Sequence, residues 1–368
     1  MVAGASLAEN ETGWIWSGRV PCLDGCRALA IGGVIAGHIR YTGLGTWTLA
    51  HSGVTAFFVV SGFLITLLLL REKQNFGEIS LADFLKRRAL RILPALIVFM
   101  LVVFAMQKYG IYSITPGTWF RTLTYTACFG NNFNSEILAH MWSLSVEEQF
   151  YLLWPLLLVM VRERTAVVLL CSYIAATPFL RAFLYRLDNP YFDPSFSSPT
   201  QMGSIAVGCL LAFFVTGKFA PRAYESFRTR PWRWALAAGA LGISGYALWL
   251  WPTLKFALND PTKSIAIGLG MLMVIQSGQG NPLYRFLNWK PMVWIGVLSY
   301  SLYLWQEPIT MAKWPAILQL MALVPIAALS YFAIERPFLA MKKRSARVQV
   351  PGAETSMKVR ATASGSER

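Results

Sequence analysis

Charge is what this chain is short of. Asp, Glu, Lys and Arg make up 14% of its 368 residues, where soluble domains sit near a quarter. With 55% hydrophobic residues and a mean hydropathy of +0.46, that shortage excludes a disordered chain, a secreted disulfide scaffold and an ordinary soluble enzyme. It points to a polytopic membrane protein. Histidine is scarcer still, at three residues, which leaves little for a metal cluster. The five cysteines (Cys22, Cys26, Cys128, Cys171, Cys209) are odd in number and mostly lie in apolar stretches. They read as buried thiols, since the Cys22/Cys26 spacing fits no common zinc signature. No metal site is expected. Acidic residues are outnumbered, 18 against 33 Lys and Arg, for a net charge of +15. Nucleic-acid binding is the first reading of such a balance. It fails because the cations sit in short gaps between apolar runs, as the positive-inside rule requires.

Ten apolar runs approach the ~20 residues needed to cross a bilayer. They fall near 24–43, 53–70, 92–112, 141–161, 165–185, 201–216, 234–251, 263–278, 291–311 and 314–333. The stretch 118–134 is interrupted by Arg121, threonines and Asn131, Asn132 and Asn134. It reads as a re-entrant or interfacial segment. With ten spans and a cytoplasmic N-terminus, most cations face the cytoplasm, among them Arg71, Lys86, Arg87, Arg88, Arg91, Arg162, Arg164 and the group from Lys218 to Arg233. An eleventh span at 118–134 would move Arg162, Arg164 and the Lys218–Arg233 group outside and destroy the asymmetry. The predicted fold is therefore all-α: a bundle of about ten transmembrane helices over 23–340, with both termini cytoplasmic. A short cytoplasmic or interfacial segment, 1–22, precedes it, without the basic and apolar regions of a cleaved leader. A basic, small-residue-rich tail, 341–368, follows and is expected to be disordered near anionic lipid. No internal repeat is evident.

Ionisable residues at bilayer depth are expensive and mark functional sites. Here they are mainly Asp24, Arg27 and His38 in the first span, Glu147 and Glu148 in the fourth, and Glu307 near the outer end of the ninth. Arg27 and His38 are eleven residues apart, which brings them within ~20° of the same face and ~16 Å apart along the axis. Arg27 then sits near the cytoplasmic surface and His38 deep in the membrane. Asp24 lies on nearly the same face and can pair with Arg27. Span four runs inward from His140, so Glu147 reaches about the depth of His38. A carboxylate beside the imidazole would orient it and suit it to act as general base on a hydroxyl. Two adjacent glutamates cannot share a face, so one is expected at the site and the other against a packed polar partner. The segment Phe84-Leu-Lys-Arg-Arg-Ala-Leu-Arg-Ile-Leu-Pro94 opens the third span, with Pro94 in its first turn, and its arginines can hold phosphates or lipid headgroups. Ser61 and Gly62 in span two permit close helix approach or a slot, and Ser299, Tyr300 and Tyr303 in span nine can line a polar cavity.

At these residues the chain resembles integral-membrane acyltransferase family 3, the bacterial O-acyltransferases of sugars and envelope glycans. Leu23-Asp-Gly-Cys-Arg-Ala-Leu-Ala30 with His38 resembles the family's opening helix and its Arg, ten-residue gap, His motif. Gly53-Val-Thr-Ala-Phe-Phe-Val-Val-Ser-Gly-Phe-Leu-Ile65 resembles the second helix, and Phe84 to Pro94 the arginine-rich third motif. The most specific match is His140-Met-Trp-Ser-Leu-Ser-Val-Glu-Glu-Gln-Phe-Tyr151, supported by Ser299-Tyr-Ser-Leu-Tyr-Leu-Trp305 and Glu335-Arg-Pro337. Many relatives carry His after the Leu-Trp of span nine, where Gln306 stands here, which hints at a different acceptor subgroup. No fused extracytoplasmic hydrolase-like domain is expected.

The resemblance implies a multi-pass protein of the inner membrane that moves an acyl group, most simply acetyl, from cytoplasmic acyl-CoA to a hydroxyl of a sugar or lipid-linked glycan. Acyl-CoA is a donor substrate, with no permanently bound cofactor. The further partners are the glycan acceptor and membrane lipid, not nucleic acid. His38 is implied as the essential histidine with Arg27 as its motif partner, Arg88 and Arg91 near the acyl-CoA entrance, and Glu147 as a site carboxylate. In the resulting mechanism Arg27, Arg88 and Arg91 hold the CoA phosphates, and His38, oriented by Glu147 or Asp24, takes the hydroxyl proton. Ser61, Tyr303 or Trp142 stabilise the oxyanion, and Tyr151 joins them on the substrate side. An acyl-histidine intermediate is the covalent variant. The alternatives from other classes are a proton-coupled transporter using His38 and Glu147 as a relay and a noncatalytic partner in envelope assembly.

Overall fold

The computed structural model describes residues 15–16, 19–39, 46–130, 136–189, 191–229, 232–247, 249, 251–312 and 314–347. Among the described residues every regular element is helical. In chain order the helices are α1 (Leu23–His38), α2 (Thr46–Phe76), α3 (Leu81–Lys108), α4 (Pro116–Leu123), α5 (Met141–Met160) and α6 (Glu163–Leu187). They continue with α7 (Ser198–Val215), α8 (Pro221–Thr229), α9 (Trp232–Ala247), α10 (Pro252–Ser277) and α11 (Pro282–Leu287). The last are α12 (Lys290–Val297), α13 (Ser299–Thr310), α14 (Ala316–Ser330), a π-helical turn at Tyr331–Glu335, and α15 (Arg336–Arg347).

Each of the ten apolar runs overlaps a helix. Five helical stretches are long and apolar enough to cross a membrane: α2, α3, α6, α7, and α14 continued through the π turn into α15. The chain is thus a helical membrane protein. The segment around 118–134 does not supply a long helix. Its helix, α4, has 8 residues, about 12 Å of rise, and ends before residues 131–135, which lie outside the described residues. Of the expected tail, α15 carries helix as far as Arg347; 348–368 lie outside the described residues. Ahead of α1, Ile15 is buried and its carbonyl accepts from Arg71 Nε at 2.7 Å.

Local sequence accounts for many helix starts. Ser80 caps α3, its hydroxyl accepting the Asp83 N–H, and Thr115 does the same for α4 ahead of Pro116. Prolines in the first turn, where no N–H is needed, also open α10, α11 and α12. One expectation is corrected. Pro94 is not in the first turn of its helix but inside α3, because the Ser80 cap starts that helix at Leu81. The basic segment is therefore the first half of a long helix rather than a lead-in to it. Helix α1 starts at Cys22, whose backbone adopts φ 63° and whose N–H donates to Asn288 Oδ1 at 3.0 Å.

Helix α2 is central, with Phe58, Val59, Phe63 and Leu67 nearly inaccessible, and it packs on α1, α7 and α10. Two glycines let it do so. A Cβ on Gly53 would lie 2.5 Å from Ala30 O of α1, and one on Gly62 would lie 2.0 Å from Ile205 O of α7. Hydrophobic side chains on the outer faces of α3, α6 and α14 (Ile97, Leu101, Val168, Phe179, Ile317, Met321) are exposed. Such a belt suits contact with lipid tails.

Candidate active site

Two cavities lie end to end inside the bundle. The first, a narrow cleft of about 70 Å³, takes Arg27 from α1, Ser61 from α2, Arg88 and Arg91 from α3, Ser143 and Glu147 from α5, and Ser299, Tyr300 and Tyr303 from α13. The second, a chamber of about 350 Å³, takes His38 from α1, His51 from α2, His140 and Trp142 from the start of α5, and Gln306, Glu307 and Thr310 from α13. Val54 and Tyr303 line both.

Helical periodicity builds this arrangement. On α13 the residues at 299, 300, 303, 306, 307 and 310 form one stripe at i, i+3, i+4 spacing, and that stripe runs from the cleft into the chamber. On α1, Arg27 reaches the cleft and His38 the chamber, so the shared face expected from their spacing serves both cavities.

Three guanidinium groups and one carboxylate among the cleft's lining residues leave it with an excess of positive charge. Arg88 stacks on Tyr151, its central carbon 3.5 Å from the ring centroid. Tyr151 itself does not line the cleft. It is fully buried behind Ser61, with 2.7 Å between the two hydroxyl oxygens, and so supports the wall instead of meeting a ligand. Arg87 faces away and pairs with Glu72 at 2.6 Å. The Tyr300 hydroxyl donates to Ile92 O at 2.9 Å, tying α13 to α3. Ser301 donates to the buried Glu335 in the π turn; π turns of this kind gather at functional sites.

In the chamber, His38 is held at both ring nitrogens. Nδ1 donates to the Val34 carbonyl at 2.7 Å, which fixes the tautomer. Nε2 lies 3.3 Å from Glu307 Oε1. This corrects the expected pairing: the acid beside His38 is Glu307, neither Glu147 nor Asp24. Glu147 faces the cleft. Asp24 pairs with Arg19 in the first turn of α1, ~21 Å along the axis from His38. Depth pointed to Glu147, but the direction in which each helix turns its side chain brings Glu307 to the ring instead. Glu148 points away from the cleft, its Oε1 buried without a partner among the described residues.

The three oxyanion candidates separate. Ser61 belongs to the cleft and Trp142 to the chamber, where its ring stacks on His51 with centroids 6.2 Å apart. Tyr303 stands at the junction, its hydroxyl bonded to Ser143 and to the His140 carbonyl.

Sequence reasoning passed over a buried charge cluster behind the chamber. Asp260 accepts from Arg181 at 2.6 Å, from Lys263 at 3.2 Å and meets His51 Nε2 at 3.0 Å. The signal was available: Asp260-Pro-Thr-Lys263 precedes the eighth apolar run, but that run was bounded at 263, whereas α10 begins at Pro252 and carries these charges inside the helix. All three histidines of the chain line the one chamber.

Comparison with known proteins identifies the family. A family model described as "Acyltransferase domain" matches residues 20–334. O-acetyltransferase OatA of Staphylococcus aureus (strain NCTC 8325 / PS 47) is 31% identical over 316 residues, covering 79% of this chain and 50% of that protein. Peptidoglycan O-acetyltransferase OatA of Listeria monocytogenes is 30% identical over 359 residues, covering 86% and 55%. The putative peptidoglycan O-acetyltransferase YrhL of Bacillus subtilis is 28% identical over 368 residues, covering 89% and 56%. The chain spans about half the length of these curated relatives. No solved structure matches it significantly. From the first turn before α1 to the π turn after α14, the chain belongs to the membrane acyltransferase family defined by that domain.

Proposed function

We propose that the protein is a membrane O-acetyltransferase that draws its acetyl group from acetyl-CoA on the cytoplasmic side and delivers it to a glycan hydroxyl in the histidine chamber. The observation that carries this reading is the end-to-end placement of a cationic cleft and a His38–Glu307 chamber that share Tyr303 and Val54. Ten spans with both termini cytoplasmic belong to the same proposal, and they place Arg91 at the inner end and His38 toward the outer.

Buried guanidinium groups without enough carboxylate are costly; a phosphorylated ligand supplies the missing charge through charge-assisted hydrogen bonds. Arg27, Arg88 and Arg91 therefore hold the CoA phosphates. The pantetheine arm covers the ~16 Å between the levels of Arg27 and His38 and brings the thioester to Tyr303. The acceptor hydroxyl approaches His38 Nε2. Its oxygen attacks the thioester carbonyl as Nε2 takes its proton, and Glu307 stabilises the imidazolium that forms. The C–S bond then breaks, the CoA thiolate leaves through the cleft, and the proton on His38 passes to the departing sulfur. Tyr303 and Ser143, the hydroxyl pair nearest the junction, stabilise the oxyanion.

Purified protein in nanodiscs, given radiolabelled acetyl-CoA and an amino-sugar oligosaccharide, is expected to transfer label to the saccharide, and His38→Ala to abolish transfer. A folded His38→Ala protein that transfers at the full rate overturns the mechanism. Proton-driven uptake without transfer would instead support a transporter.

A further inference from the structure

Beside the His38–Glu307 pair the chamber holds polar groups that the reaction above does not use. Gln306 is fully buried, and neither its Oε1 nor its Nε2 has a hydrogen-bond partner among the described residues. His140 is 3% exposed, and neither ring nitrogen has one either. Both side chains line the chamber. Burying an amide or an imidazole without partners costs about 1–3 kcal/mol for each group left unsatisfied. Protein interiors rarely carry four such atoms side by side.

Other buried polar groups nearby show that this is not general. Gln149 and Gln201 each bond neighbouring groups. His51 is satisfied by Asp260. Among the residues that line the chamber, the buried polar side-chain atoms left without a partner are those of Gln306 and His140. His140 is also locked in place, with its ring edge-on to Phe99 and Tyr303 at centroid distances of 5.6 and 5.5 Å.

The character of the chamber narrows what that partner is. Its one carboxylate, Glu307, is engaged by His38, so it is not presented to an ionic ligand. Trp142 and Phe196 supply flat apolar walls, their centroids 5.1 Å apart and their planes at 78°. Gln306 presents a donor and an acceptor together, and His140 adds one of each in its neutral form. A volume of about 350 Å³ is at the lower end for small-molecule pockets, and it suits one ring rather than a chain of them.

We infer that Gln306 and His140 form the acceptor-recognition subsite: they hydrogen-bond the substituents flanking the reacting hydroxyl of a single neutral saccharide ring, whose face lies on Trp142. This rests on the reading of His38 as the reaction centre. It makes Gln306 and His140 specificity residues rather than proton carriers. A site built to pair with a polar ligand rejects analogues that lack the matching groups by large factors, since its own groups are then left unsatisfied.

The test is equilibrium binding, independent of turnover. N,N′-diacetylchitobiose and cellobiose are titrated into the full chain in nanodiscs by calorimetry, alongside desulfo-CoA as a probe of the cationic cleft. Gln306→Leu and His140→Phe keep volume while removing the polar atoms. The expected result is that wild type binds at least one saccharide, that each variant weakens that binding tenfold or more, and that desulfo-CoA affinity stays within twofold, which also reports an intact fold. Saccharide affinity unchanged in both variants, or no saccharide binding by wild type, overturns the inference. Failure of the donor reading shows separately, as loss of desulfo-CoA binding in the wild-type protein. Failure of the His38 assignment shows as transfer that survives His38→Ala.

Discussion

Replacing Glu307 by Gln tests the central pair most sharply. The carboxylate lies 3.3 Å from His38 Nε2. At that separation a full carboxylate and a full imidazolium attract by ~5 kcal/mol at an effective dielectric of about 20. In the proposed mechanism the imidazolium forms as the hydroxyl proton is transferred, so most of this attraction stabilises the transition state rather than the resting enzyme. The glutamine amide is nearly isosteric and returns part of the interaction as a dipole. A net loss of about 3–4 kcal/mol remains, which is a 10²- to 10³-fold fall in kcat. The assay is single-turnover transfer of labelled acetyl with saturating acceptor, and Glu307→Asp should fall between Glu307→Gln and wild type. A Glu307→Gln protein within threefold of wild-type kcat, or one whose only change is a higher KM, would refute the role given to the carboxylate.

Three other perturbations separate the donor, support and packing roles. Arg91→Gln removes one charge-assisted phosphate contact and should raise the donor KM by roughly 10- to 100-fold with a much smaller change in acceptor KM; equal effects on both would contradict the assignment of the cleft to the donor. Asp260→Asn leaves Arg181 and Lys263, 2% and 7% exposed, without their counter-charge. Breaking such a pair costs about 3–5 kcal/mol, so the melting temperature in detergent, followed by fluorescence-detected size exclusion, should drop by several degrees; an unchanged melting curve would remove the cluster's structural role. Gly53→Val would force α1 away from α2, since even its Cβ meets Ala30 O at 2.5 Å and Val34 N at 2.9 Å. Overpacking of this kind costs about 1–3 kcal/mol and should shift His38 and depress turnover, whereas Gly32→Ala, which meets nothing within 4 Å, should leave both stability and turnover unchanged.

Much of this layout was legible before any coordinates. Apolar run lengths marked the helices, and the 100° step of an α-helix placed Arg27 and His38 on one face. The stripe on α13 was partly visible in Ser299, Tyr300 and Tyr303. What could not be read was rotation about the helix axes. Depth pointed to Glu147 as the partner of His38, and only the orientation of α5 and α13 against α1 brings Glu307 there instead. Tyr151 looked like a ligand contact because its motif is so distinctive, but its hydroxyl is spent on Ser61. The His51–Asp260 contact joins residues 209 positions apart, and no periodicity within one helix reports such a pairing.

Tyr303 and Val54, common to both cavities, carry a further consequence. In the proposed orientation, a cationic throat toward one face of a bilayer and a polar bowl toward the other risk forming a leak. Each elementary charge slipping through would dissipate about 2.3 kcal/mol per 100 mV of membrane potential. In that reading the phenol of Tyr303 and the isopropyl group of Val54, which line both cavities, are the insulation: they must yield to the acyl group yet stay shut to ions and water. Substrate size and electrical tightness are therefore set at the same bottleneck, and a variant that widened it for bulkier acyl groups would be expected to conduct.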